Sequence, residues 1–193
     1  MKENIENKLV GHFFAQIRKN GEVIETIERH NLIVNTSCKI IAKALGGVAI
    51  TGDSAPVDIG IKKIAVGTTT NASITTGWTS SVDKTTLDGT VYSKAICEDD
   101  GSPVIEGTHT SYIEYDETNS PNDITFNFYI GTSDFNSGTS DPTLIWEFGL
   151  LRNDGTLFSM LSREDQGKNY GIVKSEEVDI TGYWKIQVRN TSI

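Results

Sequence analysis

The sequence predicts a mainly β protein, an antiparallel β-sandwich with one short α-helix at about residues 36–45. Three features carry that expectation. Asn20-Gly21 and Asp154-Gly155 each stand between two β-rich runs, and both dipeptides accept the positive φ of a tight hairpin turn. Apolar and polar residues alternate with period two in Ile124-Thr-Phe-Asn-Phe-Tyr-Ile130 and in Trp184-Lys-Ile-Gln-Val188. Strand-like runs recur at short, uneven spacing without helices alternating between them, which favours antiparallel pairing over a parallel α/β sheet.

In chain order, Leu9–Ile17 and Glu22–Arg29 are expected as the arms of a hairpin over residues 9–29, the second arm with a wet side at Glu22, Thr26 and Glu28. Asn31–Asn35 reads as a short apolar strand. Cys38, Ile41, Ala42 and Leu45 then fall at i, i+3, i+4 and i+7, one face of a helix that Asn35 or Thr36 caps and Gly46 ends. So short a helix needs a sheet to pack on. Residues 47–60 are a polar connection, Ile61–Gly67 a strand, and the stretch to Thr86 a long loop whose large apolar anchor is Trp78. Further strands are expected at Tyr92–Cys97, Ser111–Tyr115, Ile124–Ile130, Leu144–Leu151, Thr156–Leu161, Val173–Ile180 and Tyr183–Val188, with turns near 98–103 and 118–123. These elements make one domain over 1–193, with 1–8 and 189–193 as flexible arms.

Composition narrows the classes of partner. Hydrophobic residues are 37% of the chain, and Gly, Ser, Thr and Asn are abundant, which suits strands joined by generous polar loops. A formal charge of -9 disfavours nucleic acid, because neutralising phosphates takes clustered Lys and Arg. No apolar run approaches the roughly 20 residues of a membrane helix, and Met1-Lys2-Glu3-Asn4 leads into no signal-peptide core, so synthesis in the cytoplasm without membrane association is expected.

Residue types that carry chemistry are scattered. His12, His30 and His109 lack metal-ligand spacing with one another or with Cys38 and Cys97, and the two cysteines read as small buried apolar residues. Glu98-Asp99-Asp100-Gly101 lacks the distal ligands of a calcium loop and reads as a solvated turn. Nucleophile-elbow and phosphate-cradle motifs do not occur. Glu147, between Trp146 and Phe148, is the acid whose burial would raise its pKa. Trp78, Trp146 and Trp184, with the tyrosines at 92, 112, 115, 129, 170 and 183, either stack on sugars or anchor the core. No catalytic, cofactor-binding or metal-binding residue is assigned, and a non-enzyme is expected.

The order of segments says more than any single residue. Asn31-Leu-Ile-Val-Asn35 opens a helix, Lys63-Ile-Ala-Val-Gly-Thr68 follows a loop, and then come Trp146-Glu-Phe-Gly-Leu-Leu151, Gly155-Thr-Leu-Phe-Ser159, Ser162-Arg163 and Trp184-Lys-Ile-Gln-Val188. In that order they resemble structural proteins of tailed bacteriophages. The resemblance implies a virion protein, made in the bacterial cytoplasm and assembling in multiple copies in the tail, baseplate or neck, with itself and other virion proteins as partners. A capsid decoration or head-fibre protein is the neighbouring alternative. From other classes come a carbohydrate-binding receptor module using a host glycan, which predicts an exposed Trp78, and a wall-degrading hydrolase, which needs acids converging on a cleft. Physically, Gly67 and Gly149 permit close backbone approach or a bulge, and Glu147 and Arg163 can pair across neighbouring strands.

Overall fold

The computed structural model describes residues 5–35, 37, 41, 60–136 and 143–192. Its strands are β1 (Ile5–Lys19), β2 (Glu22–Ile33), β3 (Ile61–Thr69), β4 (Thr90–Ala95), β5 (Val104–Glu106), β6 (His109–Glu114), β7 (Asp123–Ile130), β8 (Thr143–Arg152), β9 (Leu157–Ser162), β10 (Ile172–Lys174) and β11 (Val178–Ser192), with a 3-10 turn at Glu164–Gln166. Every pairing is antiparallel, in the order β4-β3-β8-β9-β2-β1-β11-β7-β6-β5, with β10 on β8. The mainly β, antiparallel expectation holds, and the sheet is nearly closed into a barrel-like sandwich. The expected helix at 36–45 lies outside the described residues apart from Ser37 and Ile41.

One strand turns the sheet back on itself. β2 pairs with β1 as far as Asn31, opposite Gly11, and then gives Leu32 and Ile33 to Met160 and Ser159 of β9. Asn31-Leu32-Ile33 is therefore the end of β2 and not a separate strand, which corrects the sequence expectation. The Asn31 Nδ2 donates to Ser159 Oγ, and that hydroxyl donates to the Leu32 carbonyl at 2.7 Å, while Asn31 Oδ1 is buried without a hydrogen bond. A Cβ on Gly11 would run into the Asn31 side-chain amide, so a larger residue there would have to displace the group that bonds Ser159.

The two halves face each other across Phe13. Its ring centroid lies 4.9 Å from Trp184, 5.8 Å from Phe128 and 5.0 Å from Phe148, which joins β1, β11 and β7 to β8. All four side chains are buried. The alternation in β7 and β11 holds in part: Phe126, Phe128, Ile130, Trp184 and Ile186 are buried and the residues between them are not, while Ile124 is half-buried and Val188 is exposed. Every residue of β8 is buried, as expected of a strand covered on both faces.

Turns follow the sequence in part. Asn20 and Gly21 have φ of 51° and 83°, the pair of positive values expected at the first hairpin. Between Ile17 and Arg18 the register slips, leaving Ile24 as a bulge residue, 58% exposed. At the second hairpin only Gly155 has positive φ, 86°, and Arg152 pairs with Thr156, so the loop is three residues long with glycine at its end. The expected division near residues 181–182 is corrected: Thr181-Gly182 is interior to β11, and the break lies at 175–177, between β10 and β11. A Cβ at Gly182 would meet Phe14 O at 2.2 Å and Phe128 Cζ at 2.8 Å, so this glycine lets a core ring lie on the backbone instead of marking a turn. β5 was not anticipated. Residues 5–8 and 189–192 lie within the β1–β11 ladder, where Ile5 pairs with Ser192.

Candidate interaction surface

The end of β2, all of β3, β8 and β9, and Arg163 form one half of the sheet, and their polar residues hold the loop of residues 70–89 against its outer side. Glu147 is fully buried, its Oε1 receives the Lys84 ammonium at 2.7 Å, and its Oε2 accepts the Asp88 N–H at 2.7 Å. Burial pushes the Glu147 carboxyl up, only partly offset by Lys84 and the Asp88 amide. Burial acts to lower Lys84, but its hydrogen bonds to Asp88 and Glu147 outweigh that and raise it. The expected pairing of Glu147 with Arg163 does not occur. Glu147 turns to the loop, and Arg163, itself fully buried, grips Glu25 of β2 with Nη1 at 2.7 Å and Nη2 at 3.1 Å, a bidentate fork.

Gly67 explains why the loop can sit so close. A Cβ there would be 2.7 Å from the Asp88 carbonyl and 3.0 Å from Glu147 Oε2, and the β3–β8 register slips between Gly67 and Thr68, so both expected roles, close approach and bulge, are present. Trp78 lies flat on Trp146, with centroids 5.8 Å apart and planes 8° apart, and is 4% exposed. The Trp78 N–H donates to Glu164 Oε2 at 2.7 Å and the Ser80 N–H to Asp165 Oδ2 at 2.9 Å, which ties the loop to the 3-10 turn. Leu87 completes the attachment in a cluster with Val34, Ala65, Leu151, Leu157 and Met160. The loop is thus part of the folded body, and Trp78 offers no ring face to a sugar.

The other half of the sheet presents aromatic side chains outward. Along one cross-strand row, Glu28, Phe14, Tyr183, Asn127 and Tyr112 stand opposite one another on β2, β1, β11, β7 and β6. The Phe14 and Tyr183 rings stack with centroids 5.2 Å apart, and His12 stacks on Tyr183 at 6.0 Å while its Nε2 lies 3.5 Å from Glu28 Oε1. Tyr112 at the far end is 38% exposed, and His30 lies edge-on to His12. A solvent-facing side of an antiparallel sheet ordinarily carries polar residues, whereas aromatics on such a face match the composition of protein interfaces. The odd positions of β1 fill the core, so Phe14 and His12 are outward by the same alternation that buries Phe13 and Ala15.

Elsewhere the expected residues stay apart. His109 stacks on Tyr129 at 3.9 Å, far along the sheet from His12 and His30, and Cys97 is buried as expected while Cys38 lies outside the described residues. Glu98–Gly101 is a turn closed by the Gly101 N–H to the Glu98 carbonyl at 3.0 Å. No group of His, Cys, Asp or Glu suited to a metal occurs among the described residues. Three features escaped the sequence: the Lys84 partner of Glu147, the outward Phe14–Tyr183 stack, and a buried lysine, Lys174. Period-two counting on β1 had the signal for the second, while the others depend on loops brought in from distant sequence. Comparison of the chain with family models, with curated proteins and with solved structures finds no match.

Proposed function

We propose that the chain is a structural protein of a tailed bacteriophage particle, assembling in multiple copies in the tail, baseplate or neck through protein–protein contacts and without catalysis. The virion setting is supported by the order of segments from Asn31 to Val188. Mode of action is supported by one geometric observation, the outward row of Phe14, Tyr183 and Tyr112 with His12 beside it. These rings supply rigid, amphipathic contact area at low entropic cost, the kind of anchor on which interfaces turn. The row spans the half of the sheet that does not carry the pinned loop, so a neighbouring subunit can dock there without disturbing the loop.

Two measurements test the reading. Particles purified from producing cells should contain the chain, and the isolated chain should form a defined oligomer or bind a second particle protein. A Tyr183→Arg/Tyr112→Arg variant, altered only on the outward face, should keep its fold by circular dichroism and lose that association. A monomeric chain absent from particles would overturn the proposal.

A further inference from the structure

Lys174 ends β10 with 1% of its surface exposed, and its Nζ donates to three neutral oxygens: the Thr132 carbonyl at 3.0 Å, the Ser175 carbonyl at 3.1 Å and Asn136 Oδ1 at 3.2 Å. The Asn136 Nδ2 donates to the same Thr132 carbonyl at 2.8 Å, which fixes the amide with its carbonyl toward the amine. Carboxylates flank the pair. Asp134 stands two residues before Asn136, accepts the Gly131 N–H at 2.7 Å and binds Lys94, and Asp179 is the second residue of β11, its buried Oδ1 without a hydrogen bond but 3.8 Å from Arg18 Nη1. A desolvated amine held against an amide carbonyl, beside carboxylates able to carry a proton, is the arrangement that acyl transfer to lysine requires.

We propose that Lys174 and Asn136 join in an intramolecular isopeptide bond. The neutral Nζ attacks Asn136 Cγ and forms the Nζ–Cγ bond. Its proton passes through Asp134 or Asp179 to Nδ2, the Cγ–Nδ2 bond breaks, and ammonia leaves, so the reaction needs no oxidant or second reactant. Burial supports the first step, since it pushes the Lys174 amine down to about 8 against the pull of Asp134 and Asp179, with Lys94 lowering it and Glu176 raising it further. That raises the neutral fraction at pH 7 by on the order of a hundredfold over a free lysine.

The position gives the bond a purpose. β4 and β5 are the two ends of the strand order, and among the described residues they are joined by the Cys97–Pro103 bridge, by the Glu98 N–H donating to the Ser102 carbonyl at 2.9 Å and by the Lys94–Glu106 ion pair at 2.6 Å. Lys94 also reaches Asp134 in the turn that holds Asn136. A covalent link from that turn to the end of β10 ties down the seam where the two ends of the sheet meet through a single bridge and an ion pair instead of a full ladder. It serves a protein under mechanical or chemical load, yet it stands independently of the proposed virion role.

Intact-mass spectrometry of the purified full chain decides it. The wild type should weigh about 17 Da less than its sequence, and protease digestion should give a branched peptide joining the segments of Asn136 and Lys174, a loss expected of lysine attack on an amide. Asn136→Ala and Lys174→Arg should both restore the full mass. Asn136 lies in a partly exposed turn, so N136A keeps the test decisive if the buried lysine variant does not fold. A wild type at its sequence mass would overturn the proposal. So would a loss that persists in N136A, since that marks a succinimide, for example at Asn20-Gly21.

Discussion

Replacing Lys84 with Met isolates the contact that holds the 70–89 loop to the sheet. The substitution keeps the aliphatic stem and removes the ammonium that sits 2.7 Å from a carboxylate of zero exposure. Breaking a buried pair from one side costs about 3–5 kcal/mol, because the remaining charge is left in the interior. The Lys84 side chain keeps 19% of its exposure and Asp88 45%, so water can reach the site and the lower end applies, about 3 kcal/mol. With an urea slope of about 2 kcal/mol/M for a protein of this size, the unfolding midpoint should fall by about 1.5 M at pH 7. Adding Glu147→Gln should recover part of the loss, since the glutamine carbonyl still accepts the Asp88 N–H and no charge remains buried. Acidification should narrow the K84M deficit: a carboxyl raised above its unfolded value favours the folded state below that value and loses the advantage as pH rises through the folded one. A midpoint shift under about 0.3 M, or a double variant no more stable than K84M, would refute the assignment.

Three further outcomes follow from the same structure. Gly182→Ala should destabilise by about 3 kcal/mol or more in chemical denaturation, because its methyl would meet backbone at 2.2 Å and the Phe128 ring at 2.8 Å; wild-type stability would show that β11 relaxes freely. In N136A, where Lys174 cannot be acylated, unfolding free energy should rise between pH 8 and about 10.4, with a ceiling of about 3 kcal/mol, since an amine lowered to about 8 binds fewer protons folded than unfolded; the slope should vanish in N136A/K174M. Trp78→Ala should leave the barrel folded but raise hydrogen exchange across residues 70–89, and unchanged exchange there would show that Glu147 and Leu87 suffice to hold the loop.

Much of the sheet was legible in local patterns. Asn20-Gly21, the alternation in β7 and β11 and the continuous apolar run of β8 each name their own structure, because turn chemistry and period-two burial act over a few residues. Two strand boundaries were misplaced for a physical reason. Gly182 looks like punctuation in sequence, but its missing side chain is filled by Phe128 from β7, and Asn31 looks like a strand start when it is the corner at which β2 changes partners. The surface row was half legible, since alternation on β1 turns Phe14 outward but only register aligns it with Tyr183 and Tyr112. Glu147 was rightly singled out as a buried acid, while its partner comes from 63 residues away in a loop without pattern. Lys174 and Asn136 gave no local signal at all, because their meeting is made by the turn after β7 packing on the end of β10.

Electron cryo-microscopy of particles purified from the producing cells, with the chain traced in the density, bears most directly on the proposed role. The account predicts several symmetry-related copies, with Phe14, Tyr183 and Tyr112 against a neighbouring subunit. Particles that lack the chain, alongside a purified protein that remains monomeric, would contradict it.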